Sequence, residues 1–572
     1  MIGRQPLFPK RRRREPPATP SVEIGRSRLL ITGALFSVAF LIVTGRLIGV
    51  TMFVEKSEPQ YAQSANKALL KTIRGNIVDR NGILLATTLK TYSLYANPRI
   101  IIDAHDAVNK LAGVLPELDR RLTYSKLTQD RNFIWLRRHL TPRQKYQVNK
   151  LGIPGLDFRD EERRVYPSAA LASHVLGHTD VDNRGLAGIE RHLNQQLRKN
   201  HTPLKLSIDI RVQHAIRKEL ATAVRQYRGI GAAGIVMDVR NGEVLGVVSL
   251  PDFDPNLPTK IEPDRRFNRA TLGVYEMGST LKIFTTAMAL DSGKVSMRDG
   301  YDATHPIRVS RFVIRDYHAK RRWLSVPEIF MYSSNIGSVK MLLDVGITEQ
   351  RAFLQKLGLL HPSPVEISEI GAPLIPSPWR AINAMTISFG HGLSISPMQL
   401  VAGVASMING GLYHAPTFLK KEPGLKTKGR RVISGKTSDH VRRLLRLVVK
   451  NGTGRKAAAE GYLVGGKTGT AEKVVGSRYK KKAVISSFIG AFPMSAPRYV
   501  IFAMIDEPSV TKDTHRRPTG GRVAAPVVGK VIARIGPLLG VPPVDELAPE
   551  TLHKLAIDVV TKKKGKRSLA SF

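Results

Sequence analysis

Ser279 and Lys282 stand three residues apart at the head of an apolar run, "STLKIFTTAMAL". On a helix, residues i and i+3 share a face. Electrostatics make this a poor place for a lysine, because a helix N-terminus already carries partial positive charge. Ile283, Phe284, Met288 and Leu290 make it poorer by removing water. Burial and the helix end both disfavour the ammonium, so its pKa should fall. A neutral amine beside a hydroxyl can take its proton and make it a nucleophile. Four Ser-x-x-Lys pairs occur in the chain: Ser64/Lys67, Ser279/Lys282, Ser477/Lys480 and Ser509/Lys512. Of these, Ser279 alone opens a long apolar helix.

Two later stretches complete a constellation. "YSSNIG" supplies Ser333 and Asn335, and "GGKTGTAE" supplies Lys467, Thr468, Gly469 and Thr470. Ser-x-x-Lys, Ser-x-Asn and Lys-Thr-Gly in this order mark class A β-lactamases and penicillin-binding proteins; here the gaps are 54 and 134 residues. These residue types suit acyl transfer to a peptide that ends in a carboxylate. Lys467 offers a cation, and Thr468 and Thr470 offer hydroxyls to the carboxylate. Gly469 would let an extended substrate lie against a strand. The backbone N–H groups of Ser279 and Thr470 would form an oxyanion hole. Ser333 can relay a proton between the lysines, and Asn335 can hold the substrate amide. His174 and His178 form a pair without a third metal ligand, so neither a metal nor a cofactor is expected.

These groups need a scaffold, and the patterning predicts an α+β domain over 226–545. "GAAGIVMDVRNGEVLGVVSL" reads as a hairpin around Asn241-Gly242. Three β-like runs follow much later, "YLVGGKTGTAEKV", "AVISSFIGAFP" and "RYVIFAMIDEP", and residues 520–539 read as a helix. Strands from both ends of the segment with helices between them imply one α+β domain. Residues 56–225 mix short β-like and helical signals. In "RGNIVDRNG", Arg74, Asp79 and Arg80 lie in turns far from Ser279 and suit packing or partner docking. Residues 29–45 hold no ionisable side chain, and the apolar character continues toward 54, long enough for a transmembrane anchor. Eight basic residues precede it (Arg4, Lys10, Arg11 to Arg14, Arg26 and Arg28), which places the 1–28 tail in the cytoplasm and everything after about 55 outside. Residues 546–572 read as a loose basic tail. Lys+Arg exceed Asp+Glu by 89 to 46, for a net charge of +43. No zinc-finger or RNP-type motif accompanies that charge, and a membrane crossing removes nucleic acid as a partner. The absence of cysteine excludes thiolate catalysis, Fe–S clusters and disulfides.

From residue 29 to 545 the chain resembles the class B penicillin-binding proteins, monofunctional peptidoglycan D,D-transpeptidases. "RGNIVDRNG", "RVYP" and "GLAGIE" are similar to the family's pedestal boxes; "YEMGSTLK", "YSSNIG", "SFGHGLSISPMQL" and "GGRVAAPVVGKV" are similar to its transpeptidase boxes. Met277 stands where the family usually has proline. The resemblance implies a single N-terminal anchor helix, an elongated pedestal of the dimerisation type over 56–225, and a penicilloyl-serine transferase domain of β-lactamase-like fold. It also implies a D-Ala-D-Ala stem-peptide donor, an amine acceptor on a second stem, and acylation of the serine by β-lactams. The early anchor and "RGNIVDRNGILLATTLKTYSLYANP" resemble the division-specific, septal branch, with the elongation branch as the alternative. A septal member works in the inner membrane with its catalytic domain in the periplasm, beside a membrane-embedded glycan polymerase and divisome proteins. A β-lactamase or β-lactam sensor would share the three motifs but not the pedestal boxes, and a non-catalytic scaffold would not be labelled by penicillin.

Overall fold

The computed structural model describes residues 21–52 and 74–546 except positions 201, 259–260, 311, 423, 425–427, 476–477, 512–513 and 515–516, and then 548–549, 555–559 and 568–570. The basic clusters at 10–14 and 562–567 lie outside the described residues. Contacts divide the chain into two units, Met1–Thr72 and Ile73–Phe572. In the first, helix α1 runs Ser21–Met52 and carries exposed apolar side chains from Leu30 to Val43. Among the described residues no helix is long and apolar enough to cross a membrane.

The second unit begins with a five-stranded sheet. Strands β1 (Ile77–Val78) and β2 (Leu84–Ala96) flank the Asn81-Gly82 turn, where Gly82 has φ +89°. Strands β3 (Ile134–Leu140) and β4 (Leu156–Val165) both pair with β2, and β5 (Leu204–Lys205) pairs parallel with β1. Leu94, Leu111, Leu136 and Leu140 are at the centre of a small core of their own.

Helix α2 (Ile210–Tyr227) then leads into β6 (Gly231–Asp238) and β7 (Val244–Leu250), the expected hairpin. The boundary expected at 225 falls inside α2. The apolar stripe of that helix, with Ile216 and Leu220, is buried on β6, so α2 belongs with the catalytic sheet rather than with the segment before it. Helices α3 (Lys282–Asp291), α4 (Val326–Tyr332), α5 (Asn335–Val345), α6 (Pro397–Ile408) and α7 (Gly435–Lys450) follow. The chain returns to the sheet as β8 (Gly465–Val475), β9 (Arg478–Phe492) and β10 (Tyr499–Asp506), and ends the domain with α8 (Gly520–Leu538).

The sheet order is β8-β9-β10-β6-β7, antiparallel throughout. It is buried on both faces, and alternation along β10 shows why. Val500, Phe502 and Met504 meet Phe284 of α3 and Leu400 of α6 in one core; Ile501, Ala503 and Ile505 meet α2 and α8 in the other. An edge position leaves one side of β8 open for another extended chain.

The tail expected to be loose is partly folded back. Glu546 takes an ion pair from the buried Arg446 at 2.6 Å, Leu555 and Ile557 enter the main core, and Ile557–Val559 pairs with Ser568–Ala570. Apolar residues inside a basic stretch give it surface to bury.

Candidate active site

The serine sits one step earlier in structure than its motif suggests. Gly278–Leu281 form a 3-10 turn, and α3 proper starts at Lys282. A 3-10 turn has three residues per turn, so side chains at i and i+3 eclipse. This brings Lys282 Nζ within 3.1 Å of Ser279 Oγ. Ser279 is half-buried, whereas Lys282 is only 1% exposed.

Ser333 arrives from the other side. Helix α4 is fixed at its start by a capping box between Ser325 and Glu328, and it ends at Ser333 in a left-handed conformation (φ +61°). Ser334 then caps α5, accepting from Gly337 N at 3.0 Å. The reversal aims Ser333 and Asn335 at Lys282. The ammonium nitrogen donates to the Ser333 carbonyl at 2.6 Å and to Asn335 Oδ1 at 2.7 Å, and lies 3.1 Å from Ser333 Oγ. Lys467 on β8 donates to the same Ser333 Oγ at 2.9 Å. One hydroxyl therefore bridges two amines.

Neither amine keeps an ordinary basicity. Burial pushes Lys467 down to about 7. Burial, and secondly the charge of Lys467, pushes Lys282 well below the usual lysine range, with Asp316 opposing. A neutral Lys282 beside Ser279 can accept its proton, and Ser333 can pass a proton between the amines.

The Lys-Thr-Gly stretch is packed onto the serine turn. Gly278 has φ +55°, and a Cβ there would stand 2.7–3.2 Å from backbone atoms of Thr470. This is the juxtaposition an oxyanion hole from Ser279 and Thr470 requires. Thr470 Oγ1 accepts from Gly520 N at 3.0 Å, at the start of α8, and Thr468 Oγ1 lies 2.8 Å from Thr453 Oγ1. Gly469 has a different reason from the one expected. A Cβ on it would strike Ser487 Oγ and come within 2.8 Å of the Met277 carbonyl. The glycine faces inward and lets β8 close on the serine turn.

Several positioning groups carry no motif and escape sequence reading. Asp316 accepts from Asn335 N at 2.5 Å, Ile336 N at 3.0 Å and Ser334 Oγ at 2.7 Å. Glu276 binds His391 Nδ1 at 2.9 Å and Gly392 N at 2.8 Å, joining the serine's own loop to "SFGHG". The repeated glycines of that box are the available signal: Gly390 (φ +101°) is pressed against the Gly278 carbonyl, where any Cβ would collide. His174 and His178 pack edge-on against Phe253, and His174 Nε2 donates to the Arg265 carbonyl at 2.9 Å while burial pushes it down to about 4. Among the described residues no three groups stand together as metal ligands.

Sequence comparison agrees with this architecture. The penicillin-binding protein transpeptidase domain profile matches residues 232–533, and the penicillin-binding protein dimerisation domain profile matches residues 70–203. A probable peptidoglycan D,D-transpeptidase FtsI of Caulobacter vibrioides is 40% identical over 495 residues, 84% of this chain and 83% of that protein. Stage V sporulation protein D of Bacillus subtilis is 31% identical over 570 residues, 91% of this chain and 86% of that one. The peptidoglycan D,D-transpeptidase FtsI of Escherichia coli is 30% identical over 550 residues, 89% and 91% of the two chains. A crystal structure of a peptidoglycan synthetase from Bifidobacterium adolescentis superposes with a TM-score of 0.64, covering 82% of this chain and 96% of that one; at 22% identity it speaks for the fold alone. Since both profiles match in the order the class requires, and the identity to its members extends across most of the chain, this protein belongs to the class B penicillin-binding proteins.

Proposed function

We propose that this protein is a septal peptidoglycan D,D-transpeptidase that cross-links stem peptides through an acyl-enzyme on Ser279. The observation that carries the reading is the contact of Lys282 Nζ with Ser279 Oγ at 3.1 Å, in a site where burial pushes the basicity of the amine well below the usual lysine range. In the first half-reaction Ser279 Oγ attacks the carbonyl carbon of the penultimate D-Ala, and its proton passes to Lys282. The backbone N–H groups of Ser279 and Thr470 stabilise the oxyanion. Collapse breaks the peptide C–N bond, and the leaving D-Ala amine takes its proton through Ser333. Lys467, Thr468 and Thr470 hold the terminal carboxylate, and Asn335 holds the donor amide. In the second half-reaction the amine of a neighbouring stem attacks the ester and loses a proton to Lys282. The ester C–O bond breaks and Ser279 regains its hydrogen. A β-lactam enters at the first step, its ring C–N bond opening onto the same serine.

In this reading residues 29–54 are the single membrane anchor, with the 1–28 tail cytoplasmic and the residues from 73 onward periplasmic. The support is the uncharged run 29–45, the eight basic residues before it and the exposed apolar side chains along α1. The described residues from 74 to about 205 form the pedestal, and α2 onward forms the transpeptidase domain. A membrane-embedded glycan polymerase and divisome proteins are its partners.

The test is covalent labelling by a fluorescent penicillin. The wild type should be labelled and Ser279→Ala should not. A fluorescent fusion should gather at the septum. Labelling that survives in Ser279→Ala would move the nucleophile elsewhere, and a fusion confined to the side wall would reassign the branch to elongation.

A further inference from the structure

Asn335 is gripped on both its amides by two consecutive residues of a distant loop. Its backbone N–H donates to Asp316 Oδ1 at 2.5 Å, and its side-chain Nδ2 donates to the Arg315 carbonyl at 2.8 Å. The second bond fixes which way the amide points, so Oδ1 is the atom presented to Lys282, at 2.7 Å. The Asp316 carboxylate also accepts from Ile336 N at 3.0 Å and, through its other oxygen, from Ser334 Oγ at 2.7 Å. The three Asp316 bonds end on Ser334 and on the first two residues of α5, directly after Ser333 with its left-handed backbone. The loop is itself anchored two residues earlier: Ile314 is buried with Val339 of α5 and Phe389, next to the Gly390 that packs on the serine turn.

We propose that Asp316 is a positioning residue for the transpeptidase reaction, which locks Ser334, Asn335 and Ile336 so that Asn335 Oδ1 is held against Lys282. The proposal rests on the acyl-enzyme reading above. An electrostatic consequence follows from the neighbours. The atoms bonded to Lys282 Nζ are all neutral oxygens, from Ser279, Ser333 and Asn335. Of the charged groups acting on it, Lys467 from β8 opposes its protonation and Asp316 favours it. Of the cations near the loop, Lys320 lies over the Tyr332 ring at 4.4 Å and Arg517 over the Tyr317 ring at 5.4 Å. Asp316 therefore holds Lys282 at a basicity that burial and Lys467 would otherwise lower further, and a stronger base takes the serine proton more readily.

The experiment is the pH profile of the second-order acylation rate constant by a fluorescent penicillin, on the purified full-length protein and Asp316→Asn and Asp316→Glu. Asparagine keeps an acceptor oxygen and the size but loses the charge. Its acid limb, where Lys282 protonates, should move to lower pH by roughly one unit, as expected for loss of one nearby opposite charge. The alkaline limb should move less than the acid limb, because the Asp316 bonds end beside Lys282 and not on Lys467. Glutamate keeps the charge but not the reach, so its acid limb should stay at the wild-type position while the plateau rate falls roughly tenfold or more. An acid limb that stays in place in Asp316→Asn, at any plateau rate, overturns the proposal, as does a limb displaced equally by glutamate. Absence of acylation in the wild type would instead sink the acyl-enzyme reading itself.

Discussion

Two lysines within reach of one serine hydroxyl are tolerable only because neither has to be charged at all times. Lys282 can be replaced by arginine with its charge and most of its length retained, but a guanidinium does not give up its proton at neutral pH. Lys282→Arg should fold, since the apolar packing of α3 around Phe284 and Leu290 is preserved, and acylation should fall by about 10²–10⁴, the usual worth of a general base. A folded Lys282→Arg protein that acylates at the wild-type rate would make the lysine structural. Lys467 has the opposite duty. Burial pushes its amine down to about 7, so in the proposed mechanism it loses the charge that would receive a carboxylate as pH rises through that point. Acylation should therefore fall on the alkaline side as well as the acid side, with limbs that belong to the coupled pair. Lys467→Arg should abolish the alkaline limb, and a limb that persists there would assign it to another group. Stability follows the sign of the same shifts. An unfolded chain binds more protons than the folded one between about 7 and the ordinary lysine value of 10.5, so these two groups make stability rise with pH across that window.

Elements place these residues by close backbone approach, and β8 is the clearest instance. It reaches the serine turn because Gly469 has no side chain where Ser487 Oγ and the Met277 carbonyl stand. Gly469→Ala should push β8 outward. Ser487 is a side chain and can yield, whereas the Met277 carbonyl is backbone and cannot. Acylation should drop at least about tenfold with a destabilisation of about 1–3 kcal/mol, the usual cost of overpacking. Adding Ser487→Ala should restore stability more than rate; full recovery of rate would show that only the hydroxyl was in the way. Such constraints mark the limit of what was legible in sequence. Ser279, Lys282, Ser333, Asn335 and Lys467 were readable because their chemistry is tied to residue type and chain order, and the structure brings them together. The sheet strands were readable because each is a short β-rich run ended by a turn. The direction Gly469 faces was not, since a strand glycine serves either side equally well in one dimension. Asp316 was invisible because it caps α5 from 18 to 20 residues away, across the whole of α4, where capping signals are ordinarily local. Helix α2 was assigned to the wrong side of a boundary because its amphipathic stripe shows that a surface is buried but not which one.

In the unit from Ile73 onward, the same box that was expected to pack or dock ties the pedestal together and joins it to the catalytic sheet. Arg74 and Arg164 both close on Glu190, at 2.5 and 2.7 Å, in a fully buried trio. Arg80 reaches Glu243 beside β7 at 3.3 Å, and Lys420 donates to the Arg80 carbonyl at 2.9 Å. The Gly188 N–H, in the pedestal, donates to the Glu369 carboxylate at 3.1 Å. Asp79 stands at the centre: it is fully buried and accepts from Asn81 N at 2.7 Å, Ile83 N at 2.9 Å and Ile210 N at 3.2 Å, so one carboxylate shapes the β1–β2 turn and meets the start of α2. None of these bonds ends on Ser279, Lys282, Ser333 or Lys467. Asp79→Ala should therefore act on the joint and not on the chemistry. Three backbone donors lose their acceptor in a dry place, at about 1–3 kcal/mol for each that stays unsatisfied, so the melting temperature should fall by several degrees. Below that melt, the penicillin acylation rate constant per folded molecule should remain within about twofold of wild type, whereas general-base loss costs at least about a hundredfold. In cells the variant should divide poorly despite a competent active site, because a loosened joint no longer holds the catalytic unit at a fixed reach from its pedestal. A folded Asp79→Ala protein that acylates slowly would show that strain at this joint travels through α2 and the sheet to the serine turn, and the division of labour argued for the two parts would then fail.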